Sequence, residues 1–163
     1  MNDVRNNVTL GFRLTAVTPK GFAQHNRFNK LSPREVLEAH NRIADEKGLV
    51  AFGTNSRFNT RRWGQVNQVL FFADSLGQRF FAMADVEDIL EYPSPTVFPV
   101  AAYGAIETAE WSGMPYKTFL ILRNFRWVSE DDLSNFVSIS DPSTDFSVLS
   151  CRPRFRVVYL RTR

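Results

Sequence analysis

A strand, a basic loop and a hairpin follow one another between residues 48 and 90, and this stretch constrains the fold most. The apolar run 49–52 predicts a short strand that stops at a glycine. The run 68–73 is rich in β-branched and aromatic residues, a glycine-containing turn follows at 75–78, and 79–86 is apolar again. This pattern predicts a β-hairpin. The loop before the hairpin is therefore held between two strands. These strands form a rigid frame that can fix the direction of the loop's side chains.

Positive charge is concentrated in two places along the chain. The net charge is only +3, but arginines gather in the loop before the hairpin and again near the C-terminus. A guanidinium group stays charged and forms paired hydrogen bonds with phosphate, so both groups suit a nucleic acid. The simpler interpretation is a solvated, solubilising face. The predicted phosphate-binding residues are Arg57, Arg61, Arg62, Arg152 and Arg154.

The chain length suits one domain, 1–163, that is large enough to bury a substantial core. The single cysteine, Cys151, excludes an internal disulfide and a zinc site made only of thiolates, and we expect it to be partly buried. No apolar run reaches the roughly eighteen residues of a membrane span, and the N-terminus lacks the apolar core of a signal peptide. We therefore expect a cytoplasmic protein without a membrane partner.

One helix has clear start and stop signals. Ser32, Pro33 and Glu35 match an N-cap, a first-turn proline and the glutamate of a capping box. The helix is predicted to run to Lys47, with Gly48 as its C-terminal cap. The face that packs on the sheet consists of Val36, Leu37, His40, Ile43 and Ala44. We expect the histidine of this set to lie at the edge of that face rather than at a catalytic centre.

The rest of the chain is predicted to be mostly strands and loops. Pro93, Pro95 and Pro99 lack amide donors, so 91–103 is predicted to be an extended excursion rather than a regular strand. The other predicted elements are a strand at 8–17, a loop at 104–116, a strand at 117–128, a short helix after Ser129, a brief strand at 137–139 and a last strand at 155–160. This order predicts the α+β class, with a mixed sheet or small β-barrel of about six strands and flanking helices.

No residue pattern in the chain indicates an enzyme. His25 and His40 have no cysteine or carboxylate at zinc spacing, and the phosphate-binding and nucleophile-elbow motifs are missing. A metal-dependent nuclease that uses Asp85, Glu87 or Asp88 is an alternative. We interpret these residues instead as solvent-exposed polar side chains at the end of the hairpin. We therefore expect a protein that is not an enzyme and that holds no metal or other cofactor.

Aromatic residues inside polar loops indicate a site for a planar ligand. Phe52 precedes Gly53, Trp63 follows the arginines, and Trp111 lies in the 104–116 loop. Flat rings beside amide, hydroxyl and guanidinium groups can stack on a base and read its edge. Phe52 is equally consistent with a core position. Trp127 is embedded in a predicted strand, and we expect it in the core.

Three segments resemble YTH domains, which belong with EVE domains to the PUA-like group. The segment 47–54, KGLVAFGT, resembles the strand that carries a cage tryptophan, 71–86 resembles the next hairpin, and 125–133, FRWVSEDDL, resembles a later strand and short polar segment. The resemblance implies a compact PUA-like β-barrel that accepts a flipped, often methylated base between aromatic walls. By position, Phe52 and Trp111 would be walls, and Gly53 or Thr54 would offer backbone contacts. Arg152 or Arg154 would hold a phosphate.

Prokaryotic domains of this kind resemble the N-terminal recognition modules of methylation-dependent restriction systems, which are joined to an NTPase motor. The resemblance implies a module of a longer protein, with a motor or nuclease as partner. The leading hypothesis is a reader of a modified base in DNA, and the alternatives are an RNA reader, a nuclease and a protein-interaction domain. The predicted pocket consists of Phe52, Gly53, Thr54, Asn55, Trp63 and Trp111.

Overall fold

Seven strands form one mixed sheet in the computed structural model, which describes residues 8–14, 32–55, 64–75, 78–109, 111–152 and 157–163. The strand order is β2-β5-β4-β3-β1-β7-β6. Only β1 and β3 pair in parallel, and the other neighbours are antiparallel. The elements in chain order are β1 Val8–Arg13, α1 Pro33–Lys47, β2 Val50–Thr54, β3 Val66–Ser75, β4 Gln78–Thr96, α2 Val100–Tyr103, β5 Tyr116–Trp127, the 3₁₀ helix Glu130–Asn135, β6 Phe136–Ser138, α3 Phe146–Leu149 and β7 Val157–Thr162.

The predicted α+β class with a mixed sheet is confirmed. The described strands form an open sheet whose end strands are β2 and β6, so closure into a barrel is not seen among them. The sheet is nevertheless strongly curled. Three strands separate β1 from β2, yet the ring centroids of Phe12 and Phe52 lie 5.7 Å apart. In a flat sheet, strands that far apart in order would be roughly 19 Å from each other.

The predicted helix forms as its capping residues indicate. The Ser32 hydroxyl accepts a hydrogen bond from the Glu35 amide at 3.2 Å, and Pro33 is the first helical residue. Gly48 ends the helix in the left-handed conformation with φ of 80°, and its amide donates to the Ala44 carbonyl at 2.8 Å. The apolar face of α1 packs on the concave side of the curled sheet. This side holds the larger core, which includes Leu10, Phe12, Val36, Leu37, Val50, Phe52, Phe71, Leu120 and Leu122.

The hairpin of β3 and β4 is confirmed, but β4 is much longer than predicted. It continues through Pro93 and Pro95 to Thr96, so the prediction of an irregular excursion there is wrong, and a short helix follows at Val100–Tyr103. The prolines are tolerated because β4 pairs only with β5 in this part and the ladder is interrupted between Glu91 and Thr96.

Trp127 is 45% exposed, so its predicted core position is wrong. Trp127 is the last residue of β5 and follows a β-bulge: Asp85 pairs with Arg123 and Met83 with Arg126, so two residues of β5 lie opposite one residue of β4. Asn124 in the bulge has a positive φ of 51°. The extra residue changes the alternation along β5, so that Phe125 packs against the core, whereas Trp127, on the same side, lies at the exposed end of the strand.

Two further predictions about single residues are corrected by the structure. Cys151 is exposed rather than partly buried, and its thiol donates to the Ser147 carbonyl at 3.3 Å. The carboxylates from 85 to 88 lie within the long strand β4 rather than at the end of the hairpin. Predicted strand positions 15–17 and 155–156 and the predicted loop 21–31 lie outside the described residues.

Candidate functional site

Three rings lie side by side between α1, β2 and the loop that precedes β5. The His40 ring centroid is 5.1 Å from that of Phe52 and 5.6 Å from that of Trp111. Phe52 and His40 are 7% and 4% exposed, whereas Trp111 is only half-buried. We call these three residues the Trp111 cluster. Its buried end joins the core, because Phe52 also contacts Phe71 at 5.0 Å, and its Trp111 end is accessible.

The helix fixes the position of His40. Its Nδ1 lies 2.7 Å from the Val36 carbonyl oxygen one turn earlier. A carbonyl oxygen only accepts hydrogen bonds, so Nδ1 carries a proton and donates it. This bond and the two flanking rings hold the imidazole in the middle of the cluster. The sequence-based expectation that this histidine lies at the edge of the helix face is therefore wrong, because loop residues cover it from outside.

Trp111 is carried by a tight turn between residues 108 and 114. The Trp111 amide donates to the Thr108 carbonyl at 3.1 Å, and the Met114 amide donates to the Trp111 carbonyl at 3.1 Å. Gly113 has φ of 78°, a conformation that side chains rarely adopt. Glu107 Oε1 accepts from the Gly113 amide at 3.4 Å. The turn therefore presents the indole at the outer end of the cluster.

The segment before this turn is attached to the rest of the molecule at two points. The Ala51 amide of β2 donates to the Ile106 carbonyl at 2.9 Å. The Lys47 ammonium at the end of α1 donates to the Ala105 carbonyl at 2.6 Å. Part of the free edge of β2 is thus covered, and the segment runs beside α1 toward the Trp111 cluster.

Two buried threonines lie on the same side of the sheet as the cluster. Thr54 is two residues beyond Phe52 in β2 and therefore faces the same side, and Thr118 of β5 is its direct partner across the strands. They are 7% and 6% exposed. Asn55 follows, and its Oδ1 accepts from the Lys117 amide at 3.0 Å, which ties the end of β2 to β5. The side-chain oxygen of Asn55 thus has a structural role here.

Gly53 faces the other side of β2 and lies under the ring of Tyr116. A Cβ at this position would lie 2.3 Å from Tyr116 Cδ2, so a larger residue would displace the ring. Burial, together with the negative charge of Glu107, raises the pKa of Tyr116 to about 12. Burial also raises the pKa of Glu107, and the Gly113 amide offsets only part of this effect. A half-buried carboxyl group and a phenol therefore lie near each other at the base of the Trp111 turn.

The structure brings together part of the predicted pocket. Phe52 and Trp111 belong to one cluster, but His40 occupies the space between them, and Phe52 is a core residue. Thr54 adjoins the cluster, while Gly53 faces the opposite side of the strand. Trp63, Arg57, Arg61, Arg62 and Arg154 lie outside the described residues.

Arg152 is exposed, and its carbonyl oxygen accepts from Arg13 Nη2 at 3.0 Å. That arginine ends β1 and also donates to the Ser150 carbonyl at 2.7 Å, so it holds the chain after α3. The Arg152 side chain is exposed on this segment, which the end of β1 holds in place. Its predicted contact with phosphate stays a prediction.

Sequence reasoning missed three polar residues around the Trp111 turn, namely Glu107, Thr108 and Tyr116. They belong to a loop and to the first residue of β5, where no periodicity indicates which side chains are buried.

The carboxylates of β4 are each engaged by a neighbouring side chain. Asp85 accepts from Asn124 Nδ2 at 2.8 Å and from Arg126 Nη1 at 3.3 Å. Partial burial opposes ionisation of Asp85, but these two partners outweigh it and lower its pKa. Asp88 accepts from the Tyr103 hydroxyl at 2.6 Å. Among the described residues, no three His, Cys, Asp or Glu side chains are grouped as metal ligands would be.

No protein-family model matches the chain, and no curated protein and no solved structure is significantly similar to it. Membership of the PUA-like group therefore stays a prediction from the three quoted segments. In the part of the chain that the structure describes, no helix has both the length and the apolar character needed to cross a membrane.

Proposed function

We propose that the protein is a non-enzymatic nucleic-acid-binding module that recognises a methylated base in DNA after the base has left the double helix. The observation that carries this proposal is the Trp111 cluster: an accessible indole supported from behind by a buried imidazole and a buried phenyl ring. A rigid aromatic surface of this kind suits a planar ligand. Stacking of a base on such a ring contributes roughly 1–3 kcal/mol.

In this proposal the base stacks on Trp111 rather than between Trp111 and Phe52. His40 fills the space between those two rings, so Phe52 supports the site from within the core. Trp63, whose loop follows β2, is proposed as the second wall. The arginines of that loop and of the C-terminal segment are proposed to bind phosphates, because guanidinium groups pair well with phosphate oxygens.

The resemblance to YTH and EVE domains supports the same proposal at the level of the fold. The contact between Phe12 and Phe52 shows that the sheet curls around one core, as a PUA-like barrel would require. By analogy, we place the chain as the recognition module of a modification-dependent restriction system with an NTPase motor or nuclease as partner. A nuclease activity of the chain itself has less support, since the carboxylates of β4 are engaged by Asn124, Arg126, Arg123 and Tyr103.

The test is binding of the purified chain to matched duplexes that differ at one base, measured by fluorescence anisotropy at two salt concentrations. The bases are adenine, N6-methyladenine, cytosine, 5-methylcytosine and 5-hydroxymethylcytosine, and matched RNA strands are added as competitors. We expect one modified duplex to bind at least about tenfold more tightly than its plain counterpart. Salt-sensitive binding without preference, or stronger binding to RNA, would contradict a reader of modified DNA.

A further inference from the structure

Two arginines hold the chain after α3 at Ser150, which is only 2% exposed. The Ser150 carbonyl accepts a hydrogen bond from Arg13 Nη2 at 2.7 Å, and its hydroxyl accepts one from Arg79 Nη2. Arg13 ends β1 and Arg79 lies in β4, so the serine is attached to two strands that β3 separates in the sheet. The same hydroxyl donates to the Ser147 carbonyl at 3.0 Å. The chain after α3 is therefore fixed to two different strands.

Aromatic rings hold both guanidinium groups in place. The Arg13 guanidinium lies 4.8 Å from the ring centroid of Phe72, and that of Arg79 lies 5.0 Å from the ring centroid of Phe81. The two phenylalanines are direct partners across β3 and β4 and belong to one core cluster. A guanidinium group is attracted to the face of such a ring. Arg79 also forms an ion pair with Glu130 of the 3₁₀ helix. These contacts restrict both side chains before any ligand binds.

Arg13 also contacts the backbone of Arg152, one of the predicted phosphate-binding residues. Its Nη2 donates to the Arg152 carbonyl at 3.0 Å, while the Arg152 side chain is exposed. The nearby Asp141 has a lowered pKa, chiefly because the hydroxyls of Ser143 and Thr144 donate to its carboxylate at 2.6 and 2.7 Å, with a smaller contribution from the charge of Arg152. Because those hydroxyls engage both oxygens of Asp141, this carboxylate competes only weakly for the Arg152 guanidinium.

Resting on the proposed function, we propose that Arg13 and Arg79 are positioning residues, which hold the backbone of 150–152 so that Arg152 binds a DNA phosphate. A group that is ordered before binding loses less conformational entropy when it binds, so the affinity is higher. A phosphate contact carries no information about the base. The two arginines therefore raise the affinity for modified and plain DNA equally, whereas Trp111 determines the preference between them.

The experiment is a double-mutant cycle that combines Arg13→Gln with Arg152→Gln. Arg34→Gln is the matched control, because Arg34 is an exposed arginine of α1 whose loss changes the net charge by the same amount. Ser150→Ala is a milder second variant, which removes the hydroxyl bonded to Arg79 and leaves Arg13 in place. Each of these three substitutions is made in the wild type and in Arg152→Gln.

For every variant, the affinities for the plain and the modified duplex are measured by fluorescence anisotropy over a series of salt concentrations. The melting temperature is measured without DNA. If Arg13→Gln does not fold, the cycle between Ser150→Ala and Arg152→Gln decides alone.

Arg152→Gln is expected to lower both affinities roughly 3- to 10-fold and to reduce the slope of log K against log salt concentration by about 0.9, the value for one phosphate. Arg13→Gln should cause a similar loss in the wild type and add less than about twofold in Arg152→Gln. Ser150→Ala should cause a smaller loss that also disappears in Arg152→Gln. The effect of Arg34→Gln should be the same in both backgrounds, because that residue does not act through Arg152.

An unchanged salt slope in Arg152→Gln, or effects of Arg13→Gln and Ser150→Ala that are equally large in both backgrounds, overturn this inference while the proposed function stands. A wild-type chain that binds both duplexes equally contradicts the proposed function, and coupling between Arg13 and Arg152 in that chain still supports the positioning role. A wild-type chain that binds no DNA overturns both.

Discussion

His40 shows at the scale of one residue how a structural side chain can support a binding surface. Its Nδ1 donates to the Val36 carbonyl, and its ring is flanked by Phe52 and Trp111. The imidazole therefore cannot rotate freely and holds the indole at the surface. Sequence alone left two positions open for Phe52, core or pocket. The structure places it in the core, because ring contacts from other strands surround it.

Glu107 allows a prediction about pH. Burial raises its pKa in the folded state above the value in the unfolded chain. The folded state then binds the proton more tightly, so stability is lost as the pH rises from the unfolded pKa through the folded one. Glu107→Gln keeps an acceptor for the Gly113 amide and removes the charge. We expect this variant to be more stable than the wild type at pH 8, with a smaller difference at pH 4, as measured by urea unfolding.

The control for this prediction is Glu46→Gln, which removes a negative charge from an exposed position near the end of α1. It has the same effect on net charge without changing the Trp111 turn. If both variants show the same dependence of stability on pH, the change in net charge causes the effect. The attribution of the effect to the burial of Glu107 is then wrong.

At the scale of elements, α1 was predictable because its signals are local. The cap, the first-turn proline and the glycine stop act within one turn of the chain, and all of them are seen in the structure. The long strand β4 and the bulge in β5 were not predictable. Whether Pro93 disrupts a strand depends on which neighbour the strand pairs with at that point, and the side that Trp127 faces depends on a bulge opposite β4.

The cap of α1 gives a prediction at this scale. Ser32→Ala removes the acceptor for the Glu35 amide and the hydroxyl that lies 3.1 Å from Glu35 Oε1. The loss should cost about 1 kcal/mol of unfolding free energy, which corresponds to roughly 2–4 °C in melting temperature for a domain of this size. Ser94→Ala, at an exposed serine of β4, is the control and should change the melting temperature little. Equal effects of the two substitutions would show that the cap contributes nothing beyond a surface serine.

At the scale of the whole molecule, the site is assembled from segments that are far apart in the chain. α1 supplies His40, β2 supplies Phe52, and the loop before β5 supplies Trp111. Sequence reasoning found the aromatic residues because they interrupt polar loops. It missed Glu107, Thr108 and Tyr116, because their burial depends on how the chain before β5 packs against the rest of the molecule. The mixed α+β class was predictable from the order of elements, whereas the curl of the sheet depends on contacts between distant strands.

The central claim is that an accessible Trp111 reads the base, and comparison of Trp111→Ala with Trp127→Ala tests it most directly. Both residues are accessible tryptophans, but Trp127 lies beyond the bulge at the far end of β5. Trp111→Phe keeps a ring at the site and shows whether the fold tolerates a change there. For each folded variant, the ratio of affinities for modified and plain duplexes is measured. We expect Trp111→Ala to lower the affinity for the modified duplex roughly 10- to 100-fold and to abolish the preference, with Trp127→Ala unchanged. Equal loss of both affinities in Trp111→Ala, or an unchanged ratio, would contradict the account.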